Sequence, residues 1–334
     1  MRRERISLSE IVSSDNYAKL KNVIQAIKKH RCIAFIGAGF SKSENYRDWK
    51  EVIFGSKGSD GSVIKPGLIQ YTFEKEEYTL TGPTKKLIDI AEDCKIKNNI
   101  KYGEFILKEF GRGLSPSVHN KNHIRLWKIP FVSIFTTNFD PCLYDSGREN
   151  NNIKVFCYPY LRLPIVNNGL YHLHGLAFDT GDDIDLLNTI ILSRSEYENA
   201  YKVGKTFLTD LFYYTMQNYT ILFLGFSMDD PVIMELFKDI YQNFQERIAI
   251  VKSTIKIEIK FPSHFILFPQ NEPNQELRKD LENLNIQIIN YNPLDNNYIG
   301  LDYILLHLIE DIQESFIQLP SLKDVYEIGE KDEK

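Results

Sequence analysis

The 334-residue chain has only four cysteines, Cys32, Cys94, Cys142 and Cys157, and no two of them form a C-x-x-C pair. That spacing excludes a disulfide framework and a four-cysteine structural zinc site, and it predicts a reduced, cytoplasmic protein. No apolar run approaches membrane-spanning length. Met1-Arg2-Arg3-Glu4-Arg5 is not followed by the apolar core of a secretory signal. Basic residues are not in excess: 40 Lys and Arg stand against 45 Asp and Glu, a formal charge of −5. This argues against a chain that binds nucleic acid or another polyanion over its whole surface. Both G-x-G-x-x-G and G-x-x-x-x-G-K-[ST] are missing, so neither the usual dinucleotide fingerprint nor a P-loop is present. Repeats and long linkers are missing too. One domain over residues 1–334 is therefore predicted, with a helical insertion at about 55–127 and a charged tail at about 321–334.

What the chain does have is a series of short apolar runs, each ending in a small or polar turn. Cys32-Ile33-Ala34-Phe35-Ile36 runs into Gly37-Ala38-Gly39-Phe40-Ser41. A short continuous apolar run suits a strand covered on both faces of a parallel sheet. The glycines let the backbone turn sharply and approach a ligand closely, and amide groups after such a turn suit a pyrophosphate. A bare glycine turn with no ligand is the competing reading. Phe131–Thr136 runs into Thr137-Asn138-Phe139-Asp140-Pro141, Leu170–Leu173 into His174-Gly175, and Tyr219–Leu224 into Gly225-Phe226-Ser227. Strands are also predicted at 265–268 and 286–289, and in the run Thr189–Leu192 ahead of a capped helix. Helices are predicted at 15–30 (capped by Asp15), 84–110, 117–127, 275–284 and 298–317. The fold class that follows is α/β: a Rossmann-like, doubly wound, mainly parallel sheet flanked by helices.

Several polar residues allow two readings. Lys42–Trp49 is either a loop over a ligand, with Asp48 a candidate contact, or the start of the next helix. Asn138 and Asp140 suit a ligand mouth, yet Asp140 before Pro141 also suits an Asx turn and a helix cap. His119 and His123 lie one helical turn apart, with no H-E-x-x-H glutamate between them, and read as a solvated pair. His172 and His174 share a strand face with no third ligand in sequence. No metal is expected.

The order of the turns resembles the Sir2 (sirtuin-like) family, which reads G-A-G-x-S, T-x-N-x-D, H-G and a late G-x-S. Here these are Gly37–Ser41, Thr136–Asp140, His174-Gly175 and Gly225–Ser227, spread in order over roughly residues 30–290. The T-T-N-F-D, H-L-H-G and G-F-S-M-D-D forms look most like the bacterial Sir2-like proteins of anti-phage defence. Two departures matter: the cysteine zinc module of the deacetylases is missing, and so is a recognisable acyl-lysine groove. The helical segment at about 60–127 takes the place of the zinc module.

The resemblance implies cleavage of NAD+ to nicotinamide and ADP-ribose and puts deacylation in doubt. It implies Asn138 and His174 as catalytic residues. Asn138 would hold the ribose and the attacking water, and His174 would act as base or orient the ribose hydroxyls. It implies Gly37, Ala38, Gly39, Ser41, Asp48, Thr137, Asp140, Gly225 and Ser227 as cofactor contacts. It further implies a homo-oligomer, often beside a HerA-type ATPase or an Argonaute, with activity gated by assembly. Two alternatives stay open: an NAD+ or ADP-ribose sensor without turnover, and a deacylase or ADP-ribosyltransferase. The apolar positions Leu87, Ile90 and Ile106 of the insertion either serve to cap the sheet or face a sister subunit or partner.

Overall fold

The computed structural model describes residues 7–42, 46–57, 63–74, 78, 86–111, 121–148, 153–177, 189–202, 206–254, 260–270, 275–295 and 298–317. The strands in chain order are β1 (Cys32–Ile36), β2 (Ser56–Lys57), β3 (Val63–Lys65), β4 (Ser133–Thr136), β5 (Lys154–Cys157), β6 (Gly169–His172), β7 (Thr220–Leu224), β8 (His264–Pro269) and β9 (Ile286–Tyr291). Seven of them form one sheet in the order β5-β6-β4-β1-β7-β8-β9. Every pairing in it is parallel. β2 and β3 form a separate antiparallel ribbon.

β1 is buried at every residue, as a central strand covered on both faces must be. Its side chains alternate between two cores. Ile33 and Phe35 join Phe212, Phe223 and Phe237 on one face, where the helices Phe207–Asn218 and Pro231–Thr254 pack. Cys32, Ala34 and Ile36 join Leu20, Ile24, Ile304 and Leu305 on the other, under the helices Ser14–Lys28 and Ile299–Ile317. Helix Ser14–Lys28 buries Leu20, Val23, Ile24 and Ile27 as its apolar spacing predicts. Each such side chain contributes about 1.5–3 kcal/mol. Its N-cap is Ser13 rather than the expected Asp15, which sits in the first turn.

From β1 the chain builds β4, β5 and β6 on one side and then crosses back to build β7, β8 and β9 on the other. The turns after β1, β4 and β7 therefore flank the point where the winding reverses. In open α/β sheets that is where a crevice forms at the carboxyl ends of the strands.

Two expectations need correction. Thr189–Leu192 is not a strand; the edge of β6 away from β4 is already paired with β5, so no ladder is open to it there. β5 itself escapes the apolar pattern because it is half-exposed at the sheet edge. Ile90 and Ile106 do not form an outward stripe. They are buried with Val52, Leu68, Tyr102 and Phe105 in a third core that packs on Ala177, Ile190 and Leu192, while Leu87 is partly buried at its margin. This third core belongs to the helices Trp49–Phe54, Leu68–Phe73, Leu87–Lys97 and Asn99–Phe110. The charged tail at 321–334 lies outside the described residues.

Candidate active site

Two of the turns pack backbone against backbone. The Gly37 N–H donates to the Leu224 carbonyl and the Gly39 N–H to the Gly225 carbonyl, each at 2.9 Å. A Cβ on Gly37 would come within 2.6 Å of the Gly225 carbonyl oxygen, and one on Gly225 within 2.3 Å of the Phe40 nitrogen. Gly225 also has φ +63°, which side-chain-bearing residues rarely adopt. The glycines are thus demanded by the contact between the β1 and β7 turns. This corrects the expectation that the Gly37 and Gly39 amides hold a pyrophosphate, because both are already spent inside the protein.

The β4 turn is fastened to the same place. Thr136 donates its hydroxyl to the Ile36 carbonyl at 3.0 Å and accepts the Asn138 N–H at 3.0 Å. The Asn138 side-chain amide donates to the Gly37 carbonyl and to the Ser41 hydroxyl, both at 3.2 Å. His172 Nδ1 donates to the Asn138 carbonyl at 3.2 Å, so the ring at the end of β6 holds the Asn138 backbone. Burial lowers the His172 pKa to about 4, and its Nε2 has no hydrogen-bond partner among the described residues. This role of His172 is not legible in the spacing of the chain, since Asn138 lies 34 residues away.

Asp140 serves two purposes. Its carboxylate accepts the Cys142 N–H at 3.1 Å, the cap expected for the helix Cys142–Arg148. Burial raises its pKa, and the Ser41 and Asn138 side chains help hold its charged form. His123 is buried, not solvated as expected, because its Nε2 lies 3.3 Å from the Ser41 hydroxyl and its ring packs edge-on against Phe40. The ligating atoms of His123, Asp140 and Cys142 lie within 4.8 Å of one another, a cluster that chain spacing concealed. His119 lies outside the described residues.

A cleft of about 570 Å³ opens over these turns. Ala38, Gly39, Asp48, Thr137, Asn138, Asp140, His174, Gly225 and Ser227 all line it. Gly37 and Ser41 stand behind them as hydrogen-bond partners of Asn138. Asp48 and Glu51 form a reciprocal cap on the helix Trp49–Phe54, each accepting the other's N–H at 3.0 Å. Asp48 also accepts from Lys42 Nζ at 3.0 Å. The helix-start reading of this segment therefore holds, and its Asp48 and Trp49 also line the cleft.

The segment is pinned from below. Arg47 donates through Nε and Nη2 to the two oxygens of Glu109 at 2.7 and 2.6 Å, with both side chains buried. It also donates to the Pro66 carbonyl at 2.9 Å. Sequence reasoning missed this pair, since 62 residues separate its members.

His174 is buried, and desolvation lowers its pKa to about 3, so the ring is neutral through the physiological range. An imidazole serves best as a base when it titrates near neutrality, and burial takes this ring out of that range. Its Nε2 lies 2.6 Å from the Tyr201 hydroxyl. The Tyr197 ring stacks between Trp49 and Tyr201 and meets His174 at 5.2 Å, edge to face. Tyr197 donates to Asp230 at 2.6 Å, and Asp230 also accepts the Val232 and Ile233 amides in the first turn of the helix Pro231–Thr254.

Residues 132–289 match the family model of the SIR2-like domain. The chain is 25% identical over 292 residues to the NAD(+) hydrolase ThsA of Enterococcus faecium, covering 82% of this chain and 55% of the relative. It is 24% identical over 312 residues to the NAD(+) hydrolase ThsA of Bacillus cereus (strain MSX-D12), covering 90% and 58%. The chain thus spans about half the length of the curated relatives it matches. Among solved structures it is similar to a Sir2 homologue–NAD complex, with TM-score 0.43, 11% identity and coverage of 87% of this chain and 94% of that one. Among the described residues, no helix is long and apolar enough to cross a membrane.

Proposed function

We propose that this chain, whose residues 132–289 match the family model of the SIR2-like domain, hydrolyses NAD+ to nicotinamide and ADP-ribose. One observation carries the reading. Asn138 and His174, from the ends of two adjacent parallel strands, line the same cleft at the point where the winding reverses. The activity for which the ThsA relatives are named agrees with it.

NAD+ carries nicotinamide as a neutral leaving group on an anomeric carbon. The C–N bond breaks with its electron pair going to the ring nitrogen, and an oxocarbenium-like centre develops. Water adds to that carbon and gives up a proton. The cleft walls exclude bulk water and hold the dinucleotide in one pose. Asn138 holds the nicotinamide ribose and the attacking water, with its amide fixed by Gly37 and Ser41. Asp140 keeps Asn138 in place from behind. His174 acts on the ribose hydroxyls or takes the water proton. Gly225 and Ser227 take the adenosine half, and Ala38, Gly39, Asp48 and Thr137 complete the contacts. No step requires a metal.

The biological role that fits is anti-phage defence by NAD+ depletion, with turnover gated by a homo-oligomer or by a partner such as a HerA-type ATPase or an Argonaute. This rests on the resemblance of the T-T-N-F-D and G-F-S-M-D-D motifs alone. Incubation with NAD+, with and without an acetylated peptide, decides the chemistry. Nicotinamide release without peptide supports the hydrolase. Release only with peptide makes the chain a transferase or deacylase, and intact NAD+ under both conditions leaves a binding protein.

A further inference from the structure

His174 makes one side-chain hydrogen bond among the described residues, between Nε2 and the Tyr201 hydroxyl at 2.6 Å. Two protons are available to this pair, one on the neutral imidazole and one on the phenol. Burial keeps both groups uncharged, lowering the imidazole pKa and raising that of the phenol. The phenol is much the stronger acid, so the favoured arrangement is O–H donating to the bare Nε2. The imidazole proton then resides on Nδ1.

The surroundings hold this geometry. The Tyr201 ring stacks on Tyr197 at 5.5 Å and 16°, and His174 stands edge-on to it at 5.8 Å and 89°. Tyr197 is fixed in turn by its bond to Asp230. Neither ring can swing away without breaking packing in the main core, where both tyrosines are buried.

We propose that Tyr201 is a positioning residue: its hydroxyl donates to Nε2 of His174 and fixes the neutral ring in the Nδ1–H form, so that His174 meets its ligand as a hydrogen-bond donor and not as a base. The ligand group is an oxygen lone pair; its identity as a ribose oxygen of NAD+ rests on the hydrolase reading above. The proposal chooses between the two roles left open for His174. It also adds a residue outside the cleft to the machinery of the site.

The test reads the tautomer directly, without turnover. Long-range 1H–15N correlation spectra of the histidine-labelled protein, with the His174 signals identified by their loss in His174→Ala, distinguish Nδ1–H from Nε2–H. The expected result is an Nδ1–H pattern in the unsubstituted protein that becomes a tautomer mixture in Tyr201→Phe. That substitution removes only the hydroxyl and keeps the ring packing. Where NAD+ is turned over, Tyr201→Phe should lower kcat about tenfold, the scale for a group that orients another, with KM within about twofold. An Nε2–H pattern, or signals and kcat that Tyr201→Phe leaves unmoved, overturns the proposal. An unsubstituted protein that shows the expected tautomers but releases no nicotinamide overturns the hydrolase reading and leaves this one standing.

Discussion

The side-chain amide of Asn138 reaches the carbonyl of Gly37 at 3.2 Å, tying the turn after β4 to the turn after β1. The tie spans 101 residues of sequence and converts two separate strand ends into one rigid rim. A ligand-facing amide gains precision when its own hydrogen bonds are fixed by the scaffold, since less of the binding energy goes into ordering it.

Asn138→Ala and His174→Ala should each lower NAD+ consumption by at least about a hundredfold, the scale of a positioned polar or proton-transfer group. Circular dichroism should show both variants folded. Near-normal nicotinamide release by either folded variant removes that residue from the mechanism.

Gly225→Ala should destabilise the fold by about 2 kcal/mol or more, because the added Cβ meets backbone and the φ is positive. The Phe40 nitrogen cannot move aside as a flexible side chain would. Urea unfolding measures the loss, and an unchanged midpoint would show that the two turns do not pack as described.

Acidification should unfold the protein early. Burial lowers the pKa of His172 to about 4 and those of His174 and His264 to about 3, against about 6.5 in an unfolded chain. As pH falls below about 6.5 the unfolded state binds protons that the folded state refuses, so stability is lost. Each histidine removes up to about 1.4 kcal/mol per pH unit. Asp140 and Asp230 oppose this, because burial raises their pKa and the folded state takes up their protons first. Three histidines against two carboxyl groups leave a net loss from pH 7 to 5. A urea midpoint that stays flat over that interval contradicts the burial of these rings.

Glu109→Ala should cost about 3–5 kcal/mol, the penalty for leaving a buried charge unpaired, here the Arg47 guanidinium. It should also loosen the segment carrying Asp48 and Trp49 and raise KM for NAD+. The double variant Glu109→Ala with Arg47→Met should recover part of the stability, which chemical denaturation of the two variants would compare.

Metal analysis of the purified protein should find no stoichiometric zinc, and chelators should leave its melting temperature unchanged. His123 contacts the Ser41 hydroxyl at 3.3 Å and Asp140 takes the Cys142 amide at 3.1 Å, so both are bound into a protein network. Bound zinc lost on Cys142→Ala would instead make His123, Asp140 and Cys142 a metal site.

The sequence by itself determined the strands that carry the site, because a strand buried on both faces is written as a short apolar run and its ligand end as Gly, Asn or His. It determined the helix faces of Ser14–Lys28 and Ile299–Ile317 in the same way. It could not show β5, whose half-exposed edge position needs no apolar run, or the helix Phe207–Asn218, whose aromatic and aliphatic residues leave no clear polar face. Only the tertiary structure decided what the polar groups do. The Gly37 and Gly39 amides are spent on β7 and its turn, His123 is buried against Ser41, and His174 is neutral and held by Tyr201. The physical reason is common to all three: a hydrogen bond or a pKa depends on what lies within a few ångströms, and those neighbours come from strands and helices tens to hundreds of residues away.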